Sequence, residues 1–255
     1  LGTLPQSGNQ SQRELDFLTT MGPALIAAKG YGSPEVKATY GRALDLCREL
    51  GDTSQLFSAL HGQWFFNLMQ ADLQVARTLA EQLVETASAQ QNSGLKLAAY
   101  RAIGYTDIFL GYLTAARGHL ETVLETYDVS IHGDFAFRHG GADPGSGSAS
   151  QLAWTNFALG FPDQSVARLE QALAIASELQ HPSTEAWAFV SGTVVRLFRG
   201  ETEAAVEHVE AALTIAKEGG MALWLGWTSV LRGWARFQLG GGEEAVLEIR
   251  HGIDA

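Results

Sequence analysis

The sequence is poor in cysteine: Cys47 is the only one in 255 residues. A single thiol excludes a disulfide framework and a thiolate metal cluster, and it fits a reducing, cytoplasmic setting. Long apolar runs are missing too. No stretch approaches the roughly 18 uninterrupted apolar residues of a membrane span, so a soluble chain with no membrane partner is expected. Basic residues are outnumbered, 17 against 28 acidic, for a formal net charge of -11. Such a surface on average repels a phosphate backbone, which argues against nucleic acid as a direct partner. The opening residues, Leu1 to Arg13, are polar and rich in Gly, Ser and Gln, without the basic flank and apolar segment of a signal peptide. With Leu in first place they read as a piece of a longer protein, residues 1–12 being a polar lead-in.

Apolar residues are plentiful, at 46% of the chain, enough for a continuous core. They recur in sets of four at offsets of four, seven and eight. The sets are Val36, Tyr40, Ala43, Leu44; Val75, Leu79, Gln82, Leu83; Ala116, Leu120, Val123, Leu124; Ser165, Leu169, Ala172, Leu173; Ala205, Val209, Ala212, Leu213; and Ala245, Ile249, Gly252, Ile253. Their first members stand 39, 41, 49, 40 and 40 residues apart, a period near 40 with one insertion. Those offsets place each set on one face of an α-helix, whose other face is charged, as in Glu201, Glu203, Glu207 and Glu210. Five residues before the last four sets stand Gly111, Gly160, Gly200 and Gly240, the expected left-handed caps of tight helix–helix turns. Tyr31 and Gln70 take the corresponding places in the first two units.

Each unit is therefore helix, turn, helix. A lone pair cannot bury its apolar faces, whereas stacked neighbours can. The expected fold is all-α, a right-handed solenoid of about six antiparallel helix pairs over residues 13–255. An inserted surface loop is expected at about 128–148, where glycines, serines and Pro144 gather.

The turn glycine followed by small and apolar positions resembles the tetratricopeptide (TPR) signature, with a period longer than that family's roughly 34 residues. A narrower resemblance rests on Ala38-Thr39-Tyr40-Gly41-Arg42-Ala43-Leu44-Asp45-Leu46-Cys47, on Asp143-Pro144-Gly145, on Leu152-Ala153-Trp154-Thr155 with Gly160-Phe161-Pro162-Asp163-Gln164, and on Leu231-Arg232-Gly233-Trp234-Ala235. These segments are similar to the C-terminal region of bacterial proteins that join a class III adenylate/guanylate cyclase domain to a STAND-type ATPase and then to such repeats. The resemblance implies a regulatory region that senses a ligand or partner, with ATP binding and cyclase activity confined to domains upstream. No GxxxxGK[ST] loop occurs in this chain, and no cofactor is implied.

In the TPR fold the first helix of each pair lines the inner wall. The position six before each turn reads Leu25, Trp64, Tyr105, Trp154, Val194 and Trp234. Three residues on come Phe157 and Phe237 among others, and thirteen before the turn stand Phe57, Trp187 and Trp227. Two readings stand open: an aromatic groove for a protein, a peptide or a flat small ligand, or ordinary packing between first helices. The inserted loop carries His132, Asp134, His139 and Asp143. Their types suit a metal, but the spacing matches no known site, and a lid over the groove formed by His132, His139 and Asp143 is the alternative use. No GxSxG elbow supports a hydrolase. The expected function is thus a non-catalytic binding sensor for an upstream cyclase/ATPase. A free-standing scaffold or chaperone-like adaptor is the alternative, and a homodimer is one way to cover the apolar face that ends at Ile253.

Overall fold

The computed structural model describes residues 8–30, 32–51, 54–139 and 141–254. Among them are fourteen helices and no strand. The chain divides into two compact units, Leu1–Leu110 and Gly111–Ala255.

The first unit holds α1 (Gly8–Lys29), α2 (Pro34–Leu50), α3 (Leu56–Met69), α4 (Leu73–Gln90) and α5 (Ser93–Phe109). The helix α1 therefore starts inside the polar lead-in; residues 1–7 lie outside the described ones, as does the expected turn residue Tyr31. Helix starts carry their own signals. Ser33 accepts from the Val36 N–H with Pro34 in the first turn of α2, and Asn92 accepts from the Leu95 N–H at α5. Two buried polar bonds tie neighbouring helices together: Trp64 Nε1 on α3 donates to Thr106 Oγ1 on α5 at 2.9 Å, and Arg77 on α4 meets the buried Asp107 carboxylate on α5 at 2.8 Å.

The second repeat corrects the expected register. Ala76, Ala80, Leu83 and Ala87 are the buried face of α4, whereas Val75 is 43% exposed. The turn before α4 is made by Ala71, which takes a left-handed φ of 58°, so the helix is phased one residue later than a turn at Gln70 implies. With that shift, Val36, Ala76, Ala116, Ser165, Ala205 and Ala245, buried in every unit, stand 40, 40, 49, 40 and 40 residues apart.

The second unit holds α6 (Leu113–Thr126), α7 (Val129–His132), α8 (Phe135–His139), α9 (Pro144–Ala158), α10 (Pro162–Leu179), α11 (Pro182–Phe198), α12 (Thr202–Glu218), α13 (Ala222–Gln238) and α14 (Gly242–Asp254). Gly111, Gly160, Gly200 and Gly240 all adopt positive φ, between 75° and 91°, as their spacing predicts. The pairs α9/α10, α11/α12 and α13/α14 stack so that α11 packs against both α9 and α13. Their interior joins alanines, Ala149, Ala172, Ala176 and Ala188, in one cluster and Ala153 with the larger Leu169 and Val195 in the next. Ser165 stands where other repeats place alanine or valine, and it fits because its hydroxyl donates to the Ala153 carbonyl at 2.7 Å.

The inserted segment also departs from expectation. It is not a loop through 148: α7 and α8 occupy much of it, and residues 144 to 148 already belong to α9. Asp143-Pro144 opens that helix. The Asp143 side chain accepts from the Ser146 N–H at 2.9 Å, and proline takes the first turn, where its missing N–H is not needed. The Gly/Ser run that resembles loop composition is buried because small residues allow close packing. A Cβ on Gly145 would meet the Tyr127 ring at 2.6 Å.

Candidate functional site: an aromatic wall on the first helices of the second unit

Ring contacts run across α9, α11 and α13 in two rows. In the first, Trp154 on α9 meets Trp187 on α11 at 5.4 Å between centroids, and Trp187 meets Trp224 and Trp227 on α13 at 5.9 and 6.0 Å. In the second, nearer the turns, Phe157 stacks on Phe198 at 5.7 Å, and Phe198 meets the edge of Trp234 at 5.8 Å. Trp187 is buried, while Trp154, Phe157, Trp227 and Trp234 are half-buried. Phe198 and Phe237 are each 53% exposed, far more than a core aromatic retains. Trp154 Nε1 donates to the Ser191 carbonyl at 3.2 Å, so the indole reaches from its own helix onto the next.

The structure thus brings Trp154, Phe157, Trp187, Trp227, Trp234 and Phe237 onto one run of helices. Trp64 and Tyr105 are corrected to interior positions of the first unit, each 1% exposed. For Trp64 the reason is the same one-residue slip in register: six before the Ala71 turn stands Phe65, and Trp64 points inward to Thr106. Burial pushes the Tyr105 hydroxyl far above its ordinary range, which keeps it protonated. Phe198 and Trp224 escaped the sequence reading, although Phe198 stands two residues before Gly200 and was visible as an apolar residue at a helix end.

Ion pairs tie α11 to the turn that follows it and α13 to α14. Glu201 accepts from Arg196 and Arg199, and these guanidinium groups hold its carboxyl below the usual value. Glu248 on α14 pairs with Arg232 and with Arg236 on α13.

The residues expected to form a lid serve other purposes. Asp143 is buried, caps α9 and accepts from Tyr127 Oη at 3.1 Å, while its backbone N–H donates to Thr184 Oγ1 at 3.0 Å. His132 is buried against the Tyr127 ring, 5.8 Å away, with its Nδ1 at the Asp128 backbone. The side chain of His139 lies outside the described ones. Phe137 on α8 sits edge-on to His181 at 4.5 Å, and His181 Nδ1 is 2.8 Å from Thr184 Oγ1. Thr184 is buried and already bonded to the Asp143 N–H, so this chain of contacts reads as a clasp joining the insertion to α11. Among the described residues, no three of His, Cys, Asp and Glu stand together in a way that could hold a metal ion.

Neither a family model nor a curated protein matches the chain. Solved structures do. RapI in its apo form matches with a TM-score of 0.70 at 13% identity, covering 100% of this chain and 85% of that one. A Rap protein complexed with competence and sporulation factor matches at 0.75 and 16% identity, covering 98% of this chain and 65% of that one. A putative kinesin light chain from Podosopora anserina, built of nearly identical TPR-like repeats, matches at 0.52 and 16% identity, covering 85% of this chain and 99% of that one. The fold is that of a TPR-like solenoid. At these identities the likeness is one of fold, and within that fold the aromatic wall belongs to the first helices of successive repeats. No helix among the described residues is long and apolar enough to cross a membrane.

Proposed function

We propose that this chain is a non-catalytic interaction module whose working surface is the aromatic wall of the TPR-like second unit and whose partner is a peptide segment of another protein. The observation that carries the reading is the exposure of Phe198, which touches Phe157 and Trp234, and of Phe237, one helical turn beyond Trp234 on α13. Large flat side chains with few rotatable bonds, left in water by the fold, give contact area at low entropic cost when a partner covers them. One solved relative in fold is a complex of a Rap protein with competence and sporulation factor, which is consistent with this use of the fold. In its finer form the proposal is a cytoplasmic sensor that passes occupancy of the wall to cyclase and ATPase domains upstream, and this part rests on the sequence resemblance alone.

The test is a selection of linear peptides from a display library against the chain, followed by pull-down with wild type and with Trp154→Ala and Trp234→Ala at matched folded fraction. Enrichment of peptides that both variants fail to hold supports the wall. Retention by both variants of every peptide the wild type binds assigns the aromatics to packing and ends the reading.

A further inference from the structure

The stripe that carries the tryptophans also carries polar groups for which the fold has no use. Gln151 on α9 and Ser191 on α11 are equivalent, each nine residues before its turn glycine, Gly160 or Gly200. Each adjoins an aromatic on its own helix at helical spacing: Gln151 precedes Trp154 by three residues, and Ser191 follows Trp187 by four. Both are fully buried, at 0% exposure. Among the described residues, neither the oxygen nor the NH2 of the Gln151 amide pairs with a protein group, and neither does the Ser191 hydroxyl.

Some other buried hydroxyls on these helices and on α10 are satisfied, while Ser148 and Ser150 on α9 are, like Ser191, without a partner among the described residues. Ser146 donates to Ala172 O, Ser165 to Ala153 O, Thr155 to Gln151 O and Thr193 to Phe189 O. Unpaired polar atoms in an interior oppose folding, and apolar side chains of the same shape avoid the penalty. The position of Gln151 and Ser191 beside the aromatic wall points to a ligand. A primary amide presents a donor and an acceptor side by side, the complement of the C=O and N–H of an extended peptide backbone. Trp154, one helical turn from Gln151, has its Nε1 on the Ser191 carbonyl and its ring against Trp187.

We propose that Gln151 is the polar anchor of the wall: it pairs with one backbone peptide group of an extended peptide, Ser191 Oγ adds a neighbouring bond, and Trp154 swings off the Ser191 carbonyl to admit the chain. This rests on the peptide-binding reading above and gives it a residue that sets register along the peptide. Aromatic faces accept many side chains, while an amide fixes where the backbone lies.

The test uses a peptide selected from the linear library and the variant Gln151→Met, which keeps length and volume and removes both polar atoms. The variant is expected to unfold at the same or higher urea concentration than wild type and to bind about ten-fold more weakly. Replacing the peptide's amides one at a time by esters identifies one position that weakens binding to wild type, and that ester loses its effect on Gln151→Met. Ser191→Ala is expected to weaken binding in the same direction without loss of stability. Full-strength binding by Gln151→Met overturns the anchor and leaves the wall standing. Lower stability of both variants with unchanged affinity assigns the groups a structural role and also overturns it. Failure of any library peptide to bind wild type ends both readings together.

Discussion

Replacing Asp143 by alanine separates a helix cap from a loop residue. The Asp143 carboxylate accepts from the Ser146 N–H at 2.9 Å and from Tyr127 Oη at 3.1 Å, and the residue is fully buried. Loss of an N-cap costs about 1 kcal/mol, and leaving the Tyr127 hydroxyl without its acceptor costs about 1–3 kcal/mol more. The Tyr127 hydroxyl stays a donor at neutral pH, since burial first and then the Asp143 charge push its pKa well above the ordinary value. Asp143→Ala is therefore expected to destabilise the second unit by about 2–4 kcal/mol, read from urea unfolding followed by circular dichroism. Tyr127→Phe supplies the control, because it removes the donor and leaves the cap. In that background Asp143→Ala should cost only about 1 kcal/mol, so the two changes are strongly non-additive. An Asp143→Ala variant within about 0.5 kcal/mol of wild type, with no coupling to Tyr127, would refute the cap and return the residue to a surface loop.

Three further outcomes follow from the packing. His208 and His181 are both held below their usual 6.5, by burial first in each case. The unfolded chain therefore takes up those protons at higher pH than the folded one, so their contribution is complete above about 6.5 and is lost as pH falls below it. Urea midpoints measured from pH 7.5 down to 5.5 should decline, and His208→Leu should flatten part of that decline; an unchanged slope contradicts the assignment. In the first unit, Ala80→Asp should destabilise by about 3 kcal/mol or more and Val75→Asp by less than about 1 kcal/mol. The reverse order in thermal melts would restore the earlier register. A Cβ on Gly192 would lie 2.2 Å from His208 Nδ1 and 3.1 Å from a Leu169 methyl. Gly192→Ala should therefore cost about 1–3 kcal/mol in urea unfolding, and adding His208→Ala should recover part of it.

Much of the fold was legible because the turn glycines and the helix faces are local signals. Gly160, Gly200 and Gly240 announce turns by the one property that glycine alone supplies freely, and the faces that begin at Ser165, Ala205 and Ala245 follow five residues later. Where another residue type makes the turn, no such local signal marks it. Ala71 bends into the left-handed region without a glycine, and the register of α4 moved by one residue as a result. Composition misled at residues 144 to 148. Glycine and serine there serve close packing against Tyr127 and α10, a tertiary cause that a local reading cannot see. The site was half legible. An aromatic stripe is readable from spacing, but burial divides Trp64 and Tyr105 from Phe198 and Phe237, and burial depends on what packs across the stripe. The unpaired amide of Gln151 carries no sequence signature, since a glutamine in a helix is ordinarily solvated.

Phe198 and Phe237 decide most directly whether the aromatic wall binds. Each is 53% exposed, so Phe198→Ser with Phe237→Ser tests binding with little burden on the fold. The measurement is the affinity of a library-selected peptide for this double variant and for wild type, by isothermal titration calorimetry, with unfolding midpoints in parallel. An affinity loss of about 30-fold or more at nearly unchanged midpoint is the predicted result. Equal affinity for both proteins would contradict the claim that the aromatic wall is where this chain meets its partner.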